Sequence, residues 1–102
     1  MRRVVVTGLG LVTPVGIGWR ASWAALLEGR TGIGPVRSFD TSAFPVHIGA
    51  EVKEFAPESY VCRQPAGSMG RSSQFAVAAS RMAVEDSGID LQQLVRRRVG
   101  VS

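Results

Sequence analysis

The stretch Arg3–Gly18, RVVVTGLGLVTPVGIG, decides how the rest of the chain is read. Val4, Val5 and Val6 form an unbroken β-branched run with no polar alternation, which predicts a strand buried on both faces of a sheet. Gly8, Gly10, Gly16 and Gly18 follow at once, with Pro14 among them. The backbone must leave the strand through turns that need positive φ or close main-chain approach. A buried strand that opens into a glycine-rich loop and then a helix starts an α/β unit. In such units ligands sit near the carboxyl ends of the strands.

Three readings compete for that loop. Gly8-Leu9-Gly10 supplies two glycines of a dinucleotide fingerprint, but Thr13 stands where the third glycine or alanine belongs and Pro14 follows it. Some twenty residues beyond Gly10 there is no acid closing a second strand, only Glu28 and Arg30 at a helix end. The phosphate-loop pattern ending in Gly-Lys-Ser/Thr is absent. A secretory signal would use Arg2 and Arg3, the uncharged run to Trp19 and small residues near Ala24 and Ala25, but four glycines and a proline make that run a poor hydrophobic segment. The reading that fits best is the strand and turn of a cytoplasmic α/β enzyme.

The chain has 102 residues, the length of one small domain, and its 45% hydrophobic content excludes disorder. No apolar run reaches the roughly 18 residues of a membrane span. The net charge is +4, carried almost wholly by arginine, with Lys53 the only lysine. Outside Arg2-Arg3 and Arg96-Arg97-Arg98 the arginines are scattered, and no aromatic residues interleave with those clusters to stack bases, so nucleic acid is not the expected partner. An acidic protein suits such charges better. Cys62 is the only cysteine and His47 the only histidine. They exclude an internal disulfide and a cysteine-rich metal site, and neither a metal nor a cofactor site is read from the sequence.

Along the chain, Trp19, Trp23, Leu26 and Leu27 recur at helical spacing and predict an amphipathic helix whose tryptophans anchor a core, closed by Gly29. From Arg30 to Pro57 no helical period is present. Asp40-Thr41-Ser42 reads as a turn closed by side-chain hydrogen bonds. The alternation around Val46, Ile48 and Ala50 predicts a strand from about Val46 to Val52 with His47 on its exposed side. Ser72-Ser73 are expected to cap a second helix running to about Ser87, with Phe75, Ala78, Ala79, Met82 and Ala83 as its apolar face and Gly88 as its end. Asp90 is expected to cap one short turn, answered by Gln93. Val99 and Val101 look like the start of a second buried strand. A parallel sheet with one full inner strand cannot satisfy its ladder. The chain is therefore expected to be the first portion of a larger domain, cut inside a strand.

The residues also carry a family likeness. RRVVVTGLGLVTPVG, then SWAALLEGRTGIGPVRSFDTSAFPVHIGAEV, MGRSSQFAVAASRMAVEDSGIDL and RVGVS together resemble the opening of β-ketoacyl-acyl-carrier-protein synthases, condensing enzymes of the thiolase fold. The resemblance covers nearly the whole chain and suits both bacterial fatty-acid elongating synthases of the second kind and polyketide ketosynthases. It implies an α/β fold, here the N-terminal portion of the thiolase-like α-β-α-β-α layering, spanning residues 1–102. It implies a dimeric cytoplasmic acyltransferase that loads an acyl group on a cysteine thiolate. That enzyme decarboxylates malonyl-carrier protein and lets the carbanion attack the acyl thioester. Such chemistry needs a thiolate of lowered pKa and donors for developing negative charge. In the family one cysteine and two histidines do this, in motifs downstream of everything matched here. Neither the Tyr-Val-Cys-Arg-Gln-Pro context of Cys62 nor that of His47 resembles them, so no catalytic residue is carried over.

Between Pro57 and Arg71 the resemblance also implies a basic helical stretch ending in Met-Asp-Arg that helps dock acyl carrier protein. Here Gly70 replaces the aspartate, Pro65 interrupts a helix, and the basic residues thin to Arg63 and Arg71, the two candidate carrier contacts. These departures leave a second reading open, a non-catalytic, chain-length-factor-like or truncated paralogue that acts only as a packing partner.

Overall fold

The computed structural model describes residues 2–61, 66–94 and 98–102. It contains two short antiparallel hairpins and two helices in the order β1 (Val12–Thr13), β2 (Gly16–Ile17), α1 (Trp19–Leu27), β3 (Ile33–Pro35), β4 (Ile48–Ala50) and α2 (Arg71–Ser87). Single 3-10 turns at Pro57–Ser59 and Ala66–Ser68 precede α2. Among the described residues only Ala25 and Ala78 form a buried apolar core. The radius of gyration is 16.9 Å, against about 13 Å for a compact domain of 100 residues. None of the described helices is long and apolar enough to cross a membrane.

The opening run departs from expectation. Residues 2–11 form no strand, and Val4 is 97% exposed, with Val5 and Val6 also open to solvent. A strand exists only where a neighbour completes its ladder, and no described residue pairs with this run. The glycines behave as the sequence implied. A side chain on Gly8 would collide with the Ala83 carbonyl and reach 2.7 Å from the Ser87 amide nitrogen. One on Gly10 would collide with the Ala79 carbonyl and reach 2.8 Å from the Ala83 nitrogen. The Leu9 N–H between them donates to Asp86 Oδ2 at 2.9 Å. The N-terminal segment thus lies main chain to main chain on α2, and the small residues Ala79 and Ala83 permit that approach.

Beyond it, β1 and β2 pair with Val12 opposite Ile17 and Thr13 opposite Gly16. The Thr13 hydroxyl organises the turn: it donates to the Gly16 carbonyl at 2.9 Å and accepts the Gly16 N–H at 3.1 Å. Ser22 Oγ lies 2.9 Å from Thr13 Oγ1 and donates to the same Gly16 carbonyl at 3.1 Å. This is why Ser22, a polar residue, is only 2% exposed.

Helix α1 starts after Gly18, whose φ of 91° and ψ of 156° place it where a side chain is strained. Its end matches expectation. Gly29 has φ 73°, the Arg30 N–H donates to the Ala25 carbonyl at 2.9 Å, and the Gly29 N–H donates to the Leu26 carbonyl at 3.1 Å. That pair of bonds is the Schellman arrangement. The buried face is not the one expected. Ser22 and Ala25 are inside, while Trp23, Leu26 and Leu27 are exposed, Leu27 by 70%. The hydroxyl cluster fixes which side of α1 meets the hairpin, and the large apolar residues fall on the other side, where no described segment covers them. Trp19 alone of the four is half-buried.

Strand β4 is shorter than the expected Val46–Val52 and pairs with β3, Ile33 opposite Ala50 and Pro35 opposite Ile48. The Val36 N–H adds a bond to the His47 carbonyl at 3.0 Å. The Asp40 turn is present, with the Ser42 N–H donating to Asp40 Oδ1 at 2.9 Å. Glu51 fastens the same loop by accepting the N–H groups of Arg37 at 3.1 Å and Ser38 at 3.0 Å, together with the Ser38 hydroxyl.

Helix α2 begins one residue before the expected caps. Gly70 takes the cap position, and Ser72 and Ser73 lie inside the first turn without a capping bond. The Gln74 side chain, buried, donates to the Met69 carbonyl at 3.3 Å. Gly88 closes the helix with φ 68° as expected. Asp90 does accept the Gln92 N–H at 2.9 Å, while no reciprocal bond from the Gln93 side chain joins it among the described bonds. Val99 and Val101 form no strand and are exposed, for the same reason as the valine run at the start: nothing described pairs with them.

Replacing Gly10 by alanine should therefore lower the unfolding free energy by about 1–3 kcal/mol through overpacking, whereas alanine at Gly34, which has open space around it, should change it far less. Urea denaturation of the two variants measures the difference.

Candidate functional site

Of the two candidate contacts, Arg63 lies outside the described residues. Arg71 is the first residue of α2 and stands in an aromatic cluster. Its guanidinium carbon lies 4.9 Å from the Phe75 ring centroid and 5.5 Å from that of Phe55, and Nη2 donates to the Val52 carbonyl at 3.2 Å. Phe55 meets Phe75 edge to face with centroids 5.1 Å apart and stacks on Tyr60 at 5.7 Å with the planes 3° apart. The Tyr60 carbonyl in turn accepts Arg81 Nη1 at 3.2 Å. Arg71 and Phe75 are one helical turn apart, a spacing at which side chains meet. That signal was legible. The contribution of Phe55 and Tyr60, which come from an irregular segment without period, was not. Just before Phe55, Glu54 has φ 56°, a left-handed backbone that turns the chain toward the cluster.

A cleft of about 300 Å³ opens beside Arg71 and Phe75, with Lys53, Val52 and Glu51 on its other side. Lys53 and Arg71 give it positive charge. Glu51 sets a negative charge beside them, because the Ser38 hydroxyl, then the Ser38 and Arg37 N–H groups, hold its carboxyl below the usual carboxylate range and keep it ionised. A second cleft of about 410 Å³ lies between the N-terminal segment, α1 and α2, bordered by Leu9, Trp19, Arg20, Met82 and Asp86. Asp86 is held below its ordinary pKa of 3.8 chiefly by the Leu9 N–H. The Trp19 indole N–H, buried and without a hydrogen bond of good geometry, adds a smaller lowering from the same side.

In the cleft beside Arg71 the Ser38 hydroxyl donates to the Glu51 carboxylate, but the hydrogen bonds that lower the Glu51 pKa make that carboxylate a weak base. The Thr13 and Ser22 hydroxyls are consumed by the hairpin. His47 is exposed, with Nδ1 3.1 Å from Thr41 Oγ1, and Cys62 lies outside the described residues. The carboxylates with altered acidity, Asp40, Glu51 and Asp86, are all lowered by hydrogen bonds, the opposite of what a general acid needs. Among the described residues no three of His, Cys, Asp and Glu group as metal ligands. Gly8 and Gly10 face the backbone of α2, so the room a dinucleotide pyrophosphate would need at them is already filled.

The architecture is two helices joined to two short antiparallel hairpins. The family model for the β-ketoacyl synthase N-terminal domain matches residues 1–102, and the chain belongs to the β-ketoacyl synthase family. It is 42% identical over 100 residues to a 3-oxoacyl-[acyl-carrier-protein] synthase 2 of Synechocystis, a match covering 98% of this chain and 24% of that protein. It is also 42% identical over 101 residues to the synthase of the same name from Coxiella burnetii, covering 99% of this chain and 24% of the relative. Among solved structures, the ishigamide ketosynthase/chain length factor superposes with a TM-score of 0.83 at 42% identity, over 91% of this chain and 23% of that one. A β-ketoacyl synthase from Burkholderia phymatum gives 0.69 at 34% identity, over 93% of this chain and 24% of that one. The fold is thus α/β, part of the thiolase-like fold of ketosynthases, and the chain spans about a quarter of the length of these relatives.

The lowered carboxylates fix a pH dependence. Asp86 and Glu51 have folded pKa values below their ordinary 3.8 and 4.5, so each contributes stability that is present above the unfolded value and lost as pH falls through the folded one. Thermal unfolding followed by circular dichroism from pH 6 to pH 2 should show Tm falling below about pH 4.5, and the fall should be shallower in D86N and in E51Q.

Proposed function

We propose that this chain is the N-terminal part, residues 1–102, of the N-terminal domain of a condensing enzyme. The enzyme is an acyltransferase of the 3-oxoacyl-acyl-carrier-protein synthase type, working in fatty-acid or polyketide synthesis. It elongates an enzyme-bound acyl thioester by decarboxylating malonyl-carrier protein and joining the resulting carbanion to the acyl carbonyl. The observation that carries this reading is the 42% identity to two 3-oxoacyl-acyl-carrier-protein synthases across nearly the whole chain.

On this reading the thiolate and the two histidines lie in polypeptide beyond Ser102, and this chain supplies framework. Its glycine loop and α2 form part of one layer, and the Val4–Val6 run and the Val99–Val101 segment complete their ladders against strands that follow. The partners are acyl carrier protein, received near Arg63 and Arg71, and a second synthase subunit, with the reaction carried out in the cytoplasm. Long-range attraction between an acidic carrier and Arg63 and Lys53 speeds encounter more than it deepens affinity.

A second reading is a non-catalytic subunit of chain-length-factor type. It is motivated by Gly70, which stands where the family resemblance implies an aspartate; the structure that superposes at 0.83 is named for both kinds of subunit. The complete gene product, incubated with acyl- and malonyl-carrier protein and assayed for ketoacyl product by mass spectrometry, should condense them, while residues 1–102 alone should give no more product than a blank. Absence of product from the complete protein would refute the first reading, and recovery of activity on adding a ketosynthase subunit would establish the second.

A further inference from the structure

Arg71 is exposed, and exposure alone would suit a charge that meets an acidic partner. Its contacts indicate a different use. The guanidinium is engaged by the Phe55 and Phe75 rings and by the Val52 carbonyl, nineteen residues earlier in the chain. Turning outward to grip a carboxylate would forfeit all three contacts. Phe55 is also the ring on which Tyr60 stacks. Tyr60 and Arg71, which stand on either side of residues 61–70, are therefore fastened to the same aromatic side chain.

Resting on the proposal that acyl carrier protein is received at this surface, we infer that Arg71 is a positioning residue. It sets carrier affinity by fixing the first turn of α2 to the Val52–Tyr60 segment, and its charge does not contact the carrier. A planar cation that donates a hydrogen bond while lying against rings is replaceable by methionine only in part. It is replaceable by lysine hardly better, because an ammonium group is a point charge without the fork or the flat face. A direct docking charge behaves in the opposite way: lysine preserves it, methionine abolishes it, and its loss weakens the salt dependence of association.

The complete protein and its R71K, R71M and F75L variants, assayed for condensation as a function of carrier concentration at several ionic strengths, separate the two roles. The expected result is that R71K and R71M both raise KM for the carrier by about three- to tenfold, with kcat changed much less. F75L, which removes no charge, should shift KM in the same direction. The slope of log KM against log salt should match the wild type in all three. Amide hydrogen exchange should be faster in R71K than in the wild type at residues 52–60. A wild-type KM in R71K beside a raised KM and flattened salt slope in R71M would overturn the inference, as would unchanged exchange at 52–60. A wild-type protein that does not condense carrier-bound substrates, alone or with a partner subunit, would instead defeat the functional reading on which this one rests.

Discussion

The contact on which the described structure depends is the meeting of two backbones, the segment Gly8–Gly10 and helix α2 at Ala79 and Ala83. Side-chain packing normally keeps a chain and a helix well apart, and only glycine against alanine allows this approach. The contact fixes the point from which β1 and β2 leave α2. The Thr13 hydroxyl then fixes the turn, Ser22 is drawn to it, and the orientation of α1 follows. Asp86 locks the arrangement by accepting the Leu9 N–H. The sequence of dependence runs from two missing side chains to the placement of a helix.

Local signals in the sequence were reliable where the physics is local. The ends of both helices at Gly29 and Gly88, the Asp40 turn and the Asp90 cap depend on a few adjacent atoms, and each stands where its residue type placed it. The apolar stripe of α1 failed because periodicity tells which residues share a face and not which face is covered. Trp23, Leu26 and Leu27 do share one, but hydrogen bonding at Ser22 settled the other side inward. The valine run failed for a related reason. A strand is a property of two segments, and a sequence pattern describes one.

The candidate surface was legible in the same uneven way. Arg71 and Phe75, one turn apart on α2, could be paired from their spacing, whereas Phe55 and Tyr60 reach them through a left-handed bend at Glu54 and a 3-10 turn that leave no periodic trace. The family likeness was visible in the ordered motifs, and the match of the whole chain to a β-ketoacyl synthase N-terminal domain bears it out. What likeness alone could not supply is the bonding of the Arg71 guanidinium, because a basic residue in a basic stretch reads the same whether its charge faces outward or lies against two rings.

The backbone contact between Gly8–Gly10 and α2 also has a cost in time. During translation the glycine segment is made first and its helical seat last, with seventy positions separating Leu9 from Ala79. At roughly 5–20 residues per second the ribosome takes on the order of 4–14 s to cross that interval. Through it three consecutive valines travel with bare amides and carbonyls, a template for any passing extended chain.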